Sequence, residues 1–120
     1  MKTKLEFDRV ERSAPAVVLY RLTGGLIGSP ESYDFLEEIR AQAKRSDAPI
    51  VLNMEGLEQV NSTGVGILAA CYTSVTNAGG KICLASVPKR LKTILDVVRL
   101  TDVLCVLGGE EEAIREVTSA

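Results

Sequence analysis

Strand-like and helix-like segments alternate along this chain, and that order constrains its fold more than any other feature. Five segments rich in β-branched and apolar residues predict strands. They cover residues 5–10, 17–22, 50–54, 81–87 and 103–107. From the second strand onward, segments of helical periodicity separate them. Because strands that alternate with helices form mainly parallel sheets with crossover connections, the sequence predicts an α/β fold.

The predicted helices are marked by their end signals. The tripeptide SPE at residues 29–31 supplies a capping serine, a proline at the first helical position and an acid, and this helix is predicted to run to residue 45. A second helix is predicted from about residue 61 to 77, before a glycine pair. A third begins at Pro88, with an apolar stripe expected to face the core: Leu91, Ile94, Leu95 and Val98. The acids at 110–112 start a fourth.

The length of 120 residues fits one domain, and we predict that residues 1–120 form it. The expected architecture is a mixed, mainly parallel sheet of four to five strands packed with about four helices. Because the first two strands follow each other directly, one of them is predicted to be an antiparallel edge strand.

Composition excludes several kinds of chemistry. With no histidine in the chain, a histidine-based triad, a histidine general base and a histidine metal ligand are all excluded. A net charge of −2 and 4% aromatic residues do not suit nucleic-acid binding. Apolar runs are far shorter than the roughly 20 residues of a membrane-spanning helix. We therefore expect a cytoplasmic protein without membrane insertion, metal or cofactor.

The cysteines Cys71, Cys83 and Cys105 are scattered and form no C-x-x-C motif. Free cysteine is among the most frequently buried residue types, so all three are expected to be small apolar core residues. Their odd number argues against a disulfide framework and for a reducing compartment.

Residues 64–69, GVGILA, match the G-x-G-x-x-G/A dinucleotide fingerprint at a predicted helix start. That fingerprint requires the first glycine directly after a strand and an acid at the end of the next strand. Here about nine residues separate Met54 from Gly64, and the next strand ends in ASVP without an acid. Close packing of the helix on the sheet is the preferred explanation for Gly64 and Gly66; a nucleotide-dependent enzyme is the alternative.

Three residues of the capping type, Asn61, Ser62 and Thr63, precede the second helix, where one would suffice. Either all three residues only cap the helix and form the turn, or one of the two hydroxyl groups is a modification site. A helix N-terminus favours an anion, so a phosphate there would add about two negative charges with little disruption.

The segment IVLNMEGLEQVNSTGVGIL at residues 50–68 resembles the STAS domain of bacterial anti-sigma factor antagonists. In that family a strand and a short loop lead into Asp-Ser-Ser/Thr-Gly-Leu/Val-Gly at a helix start. The resemblance covers nearly the whole chain, since LTGGL at 22–26, NAGG at 77–80 and the helix-opening Pro88 follow in the family's order.

The resemblance implies a function without enzymatic activity. Such an antagonist binds an anti-sigma factor that is also a serine protein kinase, is released when that kinase phosphorylates it, and is restored by a serine phosphatase. The usual phosphoacceptor aligns with Ser62, and Thr63 aligns with a less usual one. The implied partner-binding residues are Gly24, Gly25, Leu26, Ile27, Gly28, Ser29, Asn61, Ser62, Thr63, Gly64, Val65 and Gly66.

Two positions depart from the family pattern. Asn61 replaces the Asp before the phosphoserine, and Ile27 replaces a second acid. Losing two negative charges changes the electrostatics that govern partner choice. The alternative is therefore a STAS interaction module of a transporter or sensory complex that is not phosphorylated. The basic residues Lys89, Arg90 and Lys92 form either a solvated face or a docking point for an acidic partner.

Overall fold

The computed structural model describes residues 4–119, so residues 1–3 and 120 of the predicted domain lie outside the described residues. A hairpin opens the chain. The order of elements is β1 (Glu6–Ser13), β2 (Ala16–Leu26), α1 (Pro30–Arg45), β3 (Ile50–Val60), α2 (Ser62–Asn77), β4 (Ile82–Ala85), α3 (Lys89–Val97), β5 (Cys105–Leu107) and α4 (Glu110–Thr118). A 3₁₀ turn at Leu100–Asp102 joins α3 to β5.

The strands form one five-stranded sheet in the order β1-β2-β3-β4-β5. β1 pairs with β2 in antiparallel fashion, and every later pair is parallel. This arrangement confirms the predicted mixed, mainly parallel sheet with its antiparallel edge strand.

Both faces of the central strands are buried, which explains their nearly continuous apolar sequences. On one face, alternate side chains of β2 and β3 pack with α1, α2 and α3 around Tyr20, Phe35 and Leu68. On the other face, Val17, Leu19 and Val51 and their neighbours pack against α4 through Ala113, Ile114 and Val117. No helix within residues 4–119 is long and apolar enough to span a membrane.

Three strands extend beyond their predicted ends, and β1 continues to Ser13 because it pairs with the start of β2 up to the Ser13–Ala16 register. β2 continues to Leu26 and β3 to Val60, because these extensions pair with each other up to the Leu26–Val60 register. The sequence does not indicate either of these two extensions, because the glycines of β2 and the polar residues of β3 are not typical of strands. β4 pairs only with the first four residues of β3, Ile50 to Asn53.

The expectation of three unpaired cysteines is wrong for two of them. Cys83 and Cys105 lie opposite each other on neighbouring strands and form a disulfide. Their separation of 22 residues does not reveal this register. Cys71 is buried and free, as predicted, and burial raises the pKa of its thiol to about 12. It is therefore a neutral core residue.

The N-terminus of α4 is fixed to the sheet by Glu110. The Arg21 guanidinium donates two hydrogen bonds to this carboxylate, at 2.9 and 3.0 Å, and Asn53 Nδ2 donates a third at 2.7 Å. Hydrogen bonding to Arg21 lowers the pKa of Glu110, an effect that partial burial opposes. Glu110 therefore does more than favour a helix start.

Candidate functional site

The turn between β3 and α2 is built around the side chain of Asn61. Its Oδ1 accepts a hydrogen bond from the Gly64 backbone N–H at 2.9 Å, which caps α2. Its Nδ2 donates to the Ile27 carbonyl at 3.1 Å, which ties the turn to the loop after β2. An aspartate could accept the first bond but could not donate the second. Asparagine at this position therefore joins the two segments that the sequence predicted to form one surface.

The hydroxyl of Ser62 is not needed for this capping. Ser62 is solvent-exposed, and its side chain has no hydrogen-bond partner in the described part of the chain. It lies in the first turn of α2, where backbone N–H groups and the helix dipole favour an anion. α2 contains no charged residue, so a phosphate on Ser62 would be the sole charge on this helix.

Thr63 is more closely engaged with the fold than Ser62. Its methyl group faces Gly28, where an added Cβ would come within 2.6 Å of Thr63 Cγ2. Gly28 also has a φ of +85°, which favours glycine. The β2–α1 loop and the first turn of α2 are thus in direct contact.

Ser32, which is fully buried, stabilises the β2–α1 loop. Ser32 Oγ accepts hydrogen bonds from the backbone N–H groups of Ile27 and Gly28, at 3.3 and 3.2 Å. Ser29 occupies the N-cap position of α1, as predicted, but its side chain makes no capping hydrogen bond. Its hydroxyl instead lies 3.3 Å from that of Ser32.

Gly64 lets α2 approach the sheet closely. A Cβ at this position would lie 1.9 Å from the Leu26 carbonyl oxygen, so no side chain fits unless α2 moves away from the sheet. This supports the predicted packing role of Gly64. Gly66 differs, because a Cβ there would meet nothing within 4 Å and the residue is exposed. The predicted packing role of Gly66 is therefore wrong, and packing does not account for a glycine that costs about 1 kcal/mol of helix stability.

The twelve predicted partner-binding residues come together in space but differ in accessibility. Asn61, Ser62, Thr63 and Gly66 are exposed, and Ile27, Gly28 and Ser29 are half-buried. The other five are buried beneath them: Gly24, Gly25, Leu26, Gly64 and Val65. Of these, Val65 still lines a surface groove. The buried residues position the exposed ones.

The sequence prediction missed an apolar groove beside Ser62. It has a volume of about 350 Å³ and lies between α2 and the C-terminal end of α3. Its lining consists of Ser62, Val65, Gly66, Ala69, Ile94, Val98 and Leu100. The predicted core stripe of α3 divides here, because Leu91 and Leu95 are buried whereas Val98 is 51% exposed. Val98 is the C-cap residue of α3 rather than part of the helix, which its apolar spacing in the sequence did not reveal.

Comparison with known proteins identifies the family. The model of the STAS domain family matches residues 9–114. The chain belongs to the STAS domain family.

Among residues 4–119, no group of three or more cysteine, aspartate or glutamate side chains could hold a metal ion.

Individual relatives are more distant. An anti-sigma F factor antagonist from Paenibacillus polymyxa is 24% identical over 100 residues, which cover 83% of this chain and 86% of that protein. A putative anti-sigma factor antagonist from Thermotoga maritima has a TM-score of 0.82 at 18% identity, covering 94% of this STAS protein and 95% of the other. The unphosphorylated antagonist SpoIIAA gives 0.72 at 19% identity, with coverage of 97% and 99%.

Proposed function

We propose that this STAS protein is an anti-sigma factor antagonist that acts in the cytoplasm and is switched by phosphorylation of Ser62. In the unmodified state it binds an anti-sigma factor with serine kinase activity. Phosphorylation by that kinase releases it, and a serine phosphatase restores binding. The protein itself is a binding module and a substrate rather than an enzyme.

The observation that carries the proposal is the exposed hydroxyl of Ser62, which has no hydrogen-bond partner among residues 4–119 and lies next to the cap that Asn61 provides. Since Asn61 satisfies the Gly64 N–H, modification of Ser62 leaves the cap intact. A phosphate would sit where the first-turn N–H groups can bind it. Phosphorylation would therefore change the surface while preserving the fold, as a reversible binding switch requires.

The comparisons support the proposal through what the relatives are. The matched Paenibacillus protein is an anti-sigma F factor antagonist. SpoIIAA has been solved in unphosphorylated and phosphorylated forms, and both are similar in fold to this chain. We extend these properties to this protein as part of the proposal.

The contact surface that we propose includes the β2–α1 loop, the first turn of α2 and the apolar groove beside Ser62. Gly66 gives this surface a second functional residue. It lies four positions after Ser62 and therefore on the same helix face. It lines the same groove, and its missing side chain lets a partner approach α2 closely.

Asn61 and Ile27 determine the charge of the surface that we propose the partner contacts. Where the family motif has two acids, this protein has an amide at Asn61 and an apolar side chain at Ile27, and the Asn61 amide donates a hydrogen bond to the Ile27 backbone carbonyl. The lining of the groove beside Ser62 likewise contains no charged residue. We propose that the anti-sigma factor presents an apolar contact there, and that the charge of phosphoserine opposes burial of that contact.

The test is capture from lysate of the native organism with matched baits: wild type, Ser62→Ala, Ser62→Glu and Thr63→Ala. We expect wild type, Ser62→Ala and Thr63→Ala to capture a kinase-type anti-sigma factor, and Ser62→Glu to lose it. With ATP, the captured kinase should phosphorylate wild type and Thr63→Ala but leave Ser62→Ala unmodified.

A different result would contradict the proposal. Equal capture of a transporter or sensory scaffold by all four baits would identify a constitutive interaction module. Phosphate mapped to Thr63, with Ser62→Ala still modified and released, would move the switch to the neighbouring hydroxyl.

A further inference from the structure

The two edges of the sheet differ in how they are protected against pairing with another chain. An edge strand presents unpaired backbone N–H and C=O groups, and proteins protect such edges by keeping them short or by adding proline, bulges or lysine. The edge strand β5 has only three residues. β1, at the other edge, has eight, contains neither proline nor lysine, and pairs with β2 in one unbroken register. Within residues 4–119 no strand pairs with the outer side of β1, so this edge is long, regular and open.

The charges of β1 are arranged antisymmetrically about Val10. Asp8 precedes Val10 by two residues and Arg12 follows it by two, on the face where Val10 packs towards α4 and Arg12 forms an ion pair with α4. On the other face, Arg9 precedes Val10 and Glu11 follows it, and these two side chains form an ion pair at 3.2 Å. On each face, an acid at a given distance from Val10 is therefore balanced by a base at the same distance on the other side.

This arrangement is complementary to a second copy of the same strand. Opposite residues of an antiparallel pair share one hydrogen-bonding class, and the class alternates along the strand. A two-fold axis must therefore pass through a residue that faces itself. An axis through a charged residue of β1 would put like charges opposite each other, which is destabilising, and an axis near either end would leave most of the strand unpaired.

An axis through Val10 avoids both penalties. It places Asp8 opposite Arg12 of the second copy, on the face of α4. It also places Arg9 opposite Glu11 of the second copy, on the face of α1. The two-fold symmetry doubles each pair, so every charged residue within two positions of the axis meets an opposite charge.

We propose that two copies of this protein associate through antiparallel pairing of their β1 strands about a two-fold axis at Val10. The two five-stranded sheets would then form one continuous sheet. Because Val10 packs against the core beneath α4, contact between the two Val10 side chains extends that core across the axis. Asp8 forms no ion pair within residues 4–119, and Arg21, opposite it on β2, bonds to Glu110 instead. The second copy therefore supplies the ion-pair partner that Asp8 lacks.

The proposal does not rest on the proposed function. The axis at Val10 lies beside Leu19, in the first half of β2. The surface around Ser62 begins beyond Leu26, the last residue of β2 and about 20 Å farther along the strand. The dimer would carry two such surfaces, one on each copy.

The first test is a charge exchange, measured by sedimentation velocity of the full chain. Wild type should show an equilibrium between monomer and dimer. Arg12→Asp should raise the dissociation constant of the dimer at least about tenfold, because it turns two opposite-charge pairs into two like-charge pairs. Adding Asp8→Arg should restore most of the affinity, since the exchanged charges are again opposite. Arg115→Asp, which alters an exposed cation of α4, is the matched control and should leave the dimer unchanged.

Cysteine cross-linking tests the register itself. Val10→Cys places the two introduced thiols opposite each other, with their Cβ atoms about 5 Å apart, so a short bis-maleimide should join the two chains. Ser13→Cys is the control, because the same register holds its two thiols about 20 Å apart. The native cysteines do not compete, since Cys71 is buried and Cys83 is bonded to Cys105. Circular dichroism verifies that each variant folds.

A wild-type chain that stays monomeric up to about 1 mM would overturn the proposal. So would a dimer that Arg12→Asp leaves unchanged, a loss that Asp8→Arg does not rescue, or equal cross-linking of the two cysteine variants. A monomeric wild type whose capture of the anti-sigma factor is lost in Arg12→Asp would show that β1 binds that partner rather than a second copy. The dimer measurements do not involve Ser62, so the dimer and the proposed function can fail separately.

Discussion

Two glycines in the first turns of α2 should respond to alanine in opposite ways. At Gly66, a Cβ enters open space, so Gly66→Ala gains the difference in helix propensity, about 1 kcal/mol. At Gly64, the Cβ would lie 1.9 Å from the Leu26 carbonyl oxygen, against an ordinary contact of at least 3.4 Å. The helix would have to move away from the sheet.

The size of the effect follows from that distance. Overpacking costs about 1–3 kcal/mol, and more where the obstacle is backbone that cannot rotate away. After the propensity gain is subtracted, we expect Gly64→Ala to lose about 2 kcal/mol. The two variants should therefore differ by about 3 kcal/mol in unfolding free energy.

Urea unfolding followed by far-UV circular dichroism measures this difference directly. The reasoning would be refuted if Gly66→Ala lowered the unfolding free energy, or if Gly64→Ala matched wild type. Partner capture gives a second, independent comparison. Gly66→Ala should weaken capture although it stabilises the fold, since its methyl group enters the surface beside Ser62.

Three further predictions concern other parts of the molecule. Asn61→Asp keeps the cap but places a carboxylate against the Ile27 carbonyl, so NMR should show larger amide shifts in residues 27–29 than within α2, and wild-type-like shifts there would contradict this. Glu110→Gln should reduce the loss of stability that occurs at low pH. The lowered pKa of Glu110 in the folded protein contributes stability above the unfolded pKa near 4.3, and this contribution is lost as pH falls through the folded pKa. Urea titrations across this pH range test the prediction. Alkylation in denaturant without reductant should modify Cys71 alone, whereas modification of all three cysteines would exclude the Cys83–Cys105 disulfide.

Local signals in the sequence predicted most of the fold. Strand composition, Pro30, the glycine pair before β4 and apolar spacing define the order of elements, because these features act within a few residues. The β2 and β3 extensions were not predictable in this way. They exist because Thr23 to Leu26 pair with Gly56 to Val60, a tertiary register that their glycines and polar residues conceal.

The candidate site, like the fold, was predictable only in its local features. Asn61 and Ser62 were found from their position at a helix start, which is a local feature. The second hydrogen bond of Asn61 was not, because it reaches a carbonyl 34 residues away. Gly64 and Gly66 look equivalent in sequence, and only the position of Leu26 distinguishes them. The Cys83–Cys105 pairing likewise depends on the register of β4 and β5.

The most direct test of the proposed switch is the affinity of the captured anti-sigma factor for protein carrying phosphoserine at residue 62, introduced during translation, compared with unmodified protein. Isothermal titration calorimetry should show binding at least about 30-fold weaker for the phosphorylated form, which corresponds to roughly 2 kcal/mol. Circular dichroism should show the same fold for both. Equal affinities would contradict the account, because Ser62 would then be an exposed helix residue without a switching role.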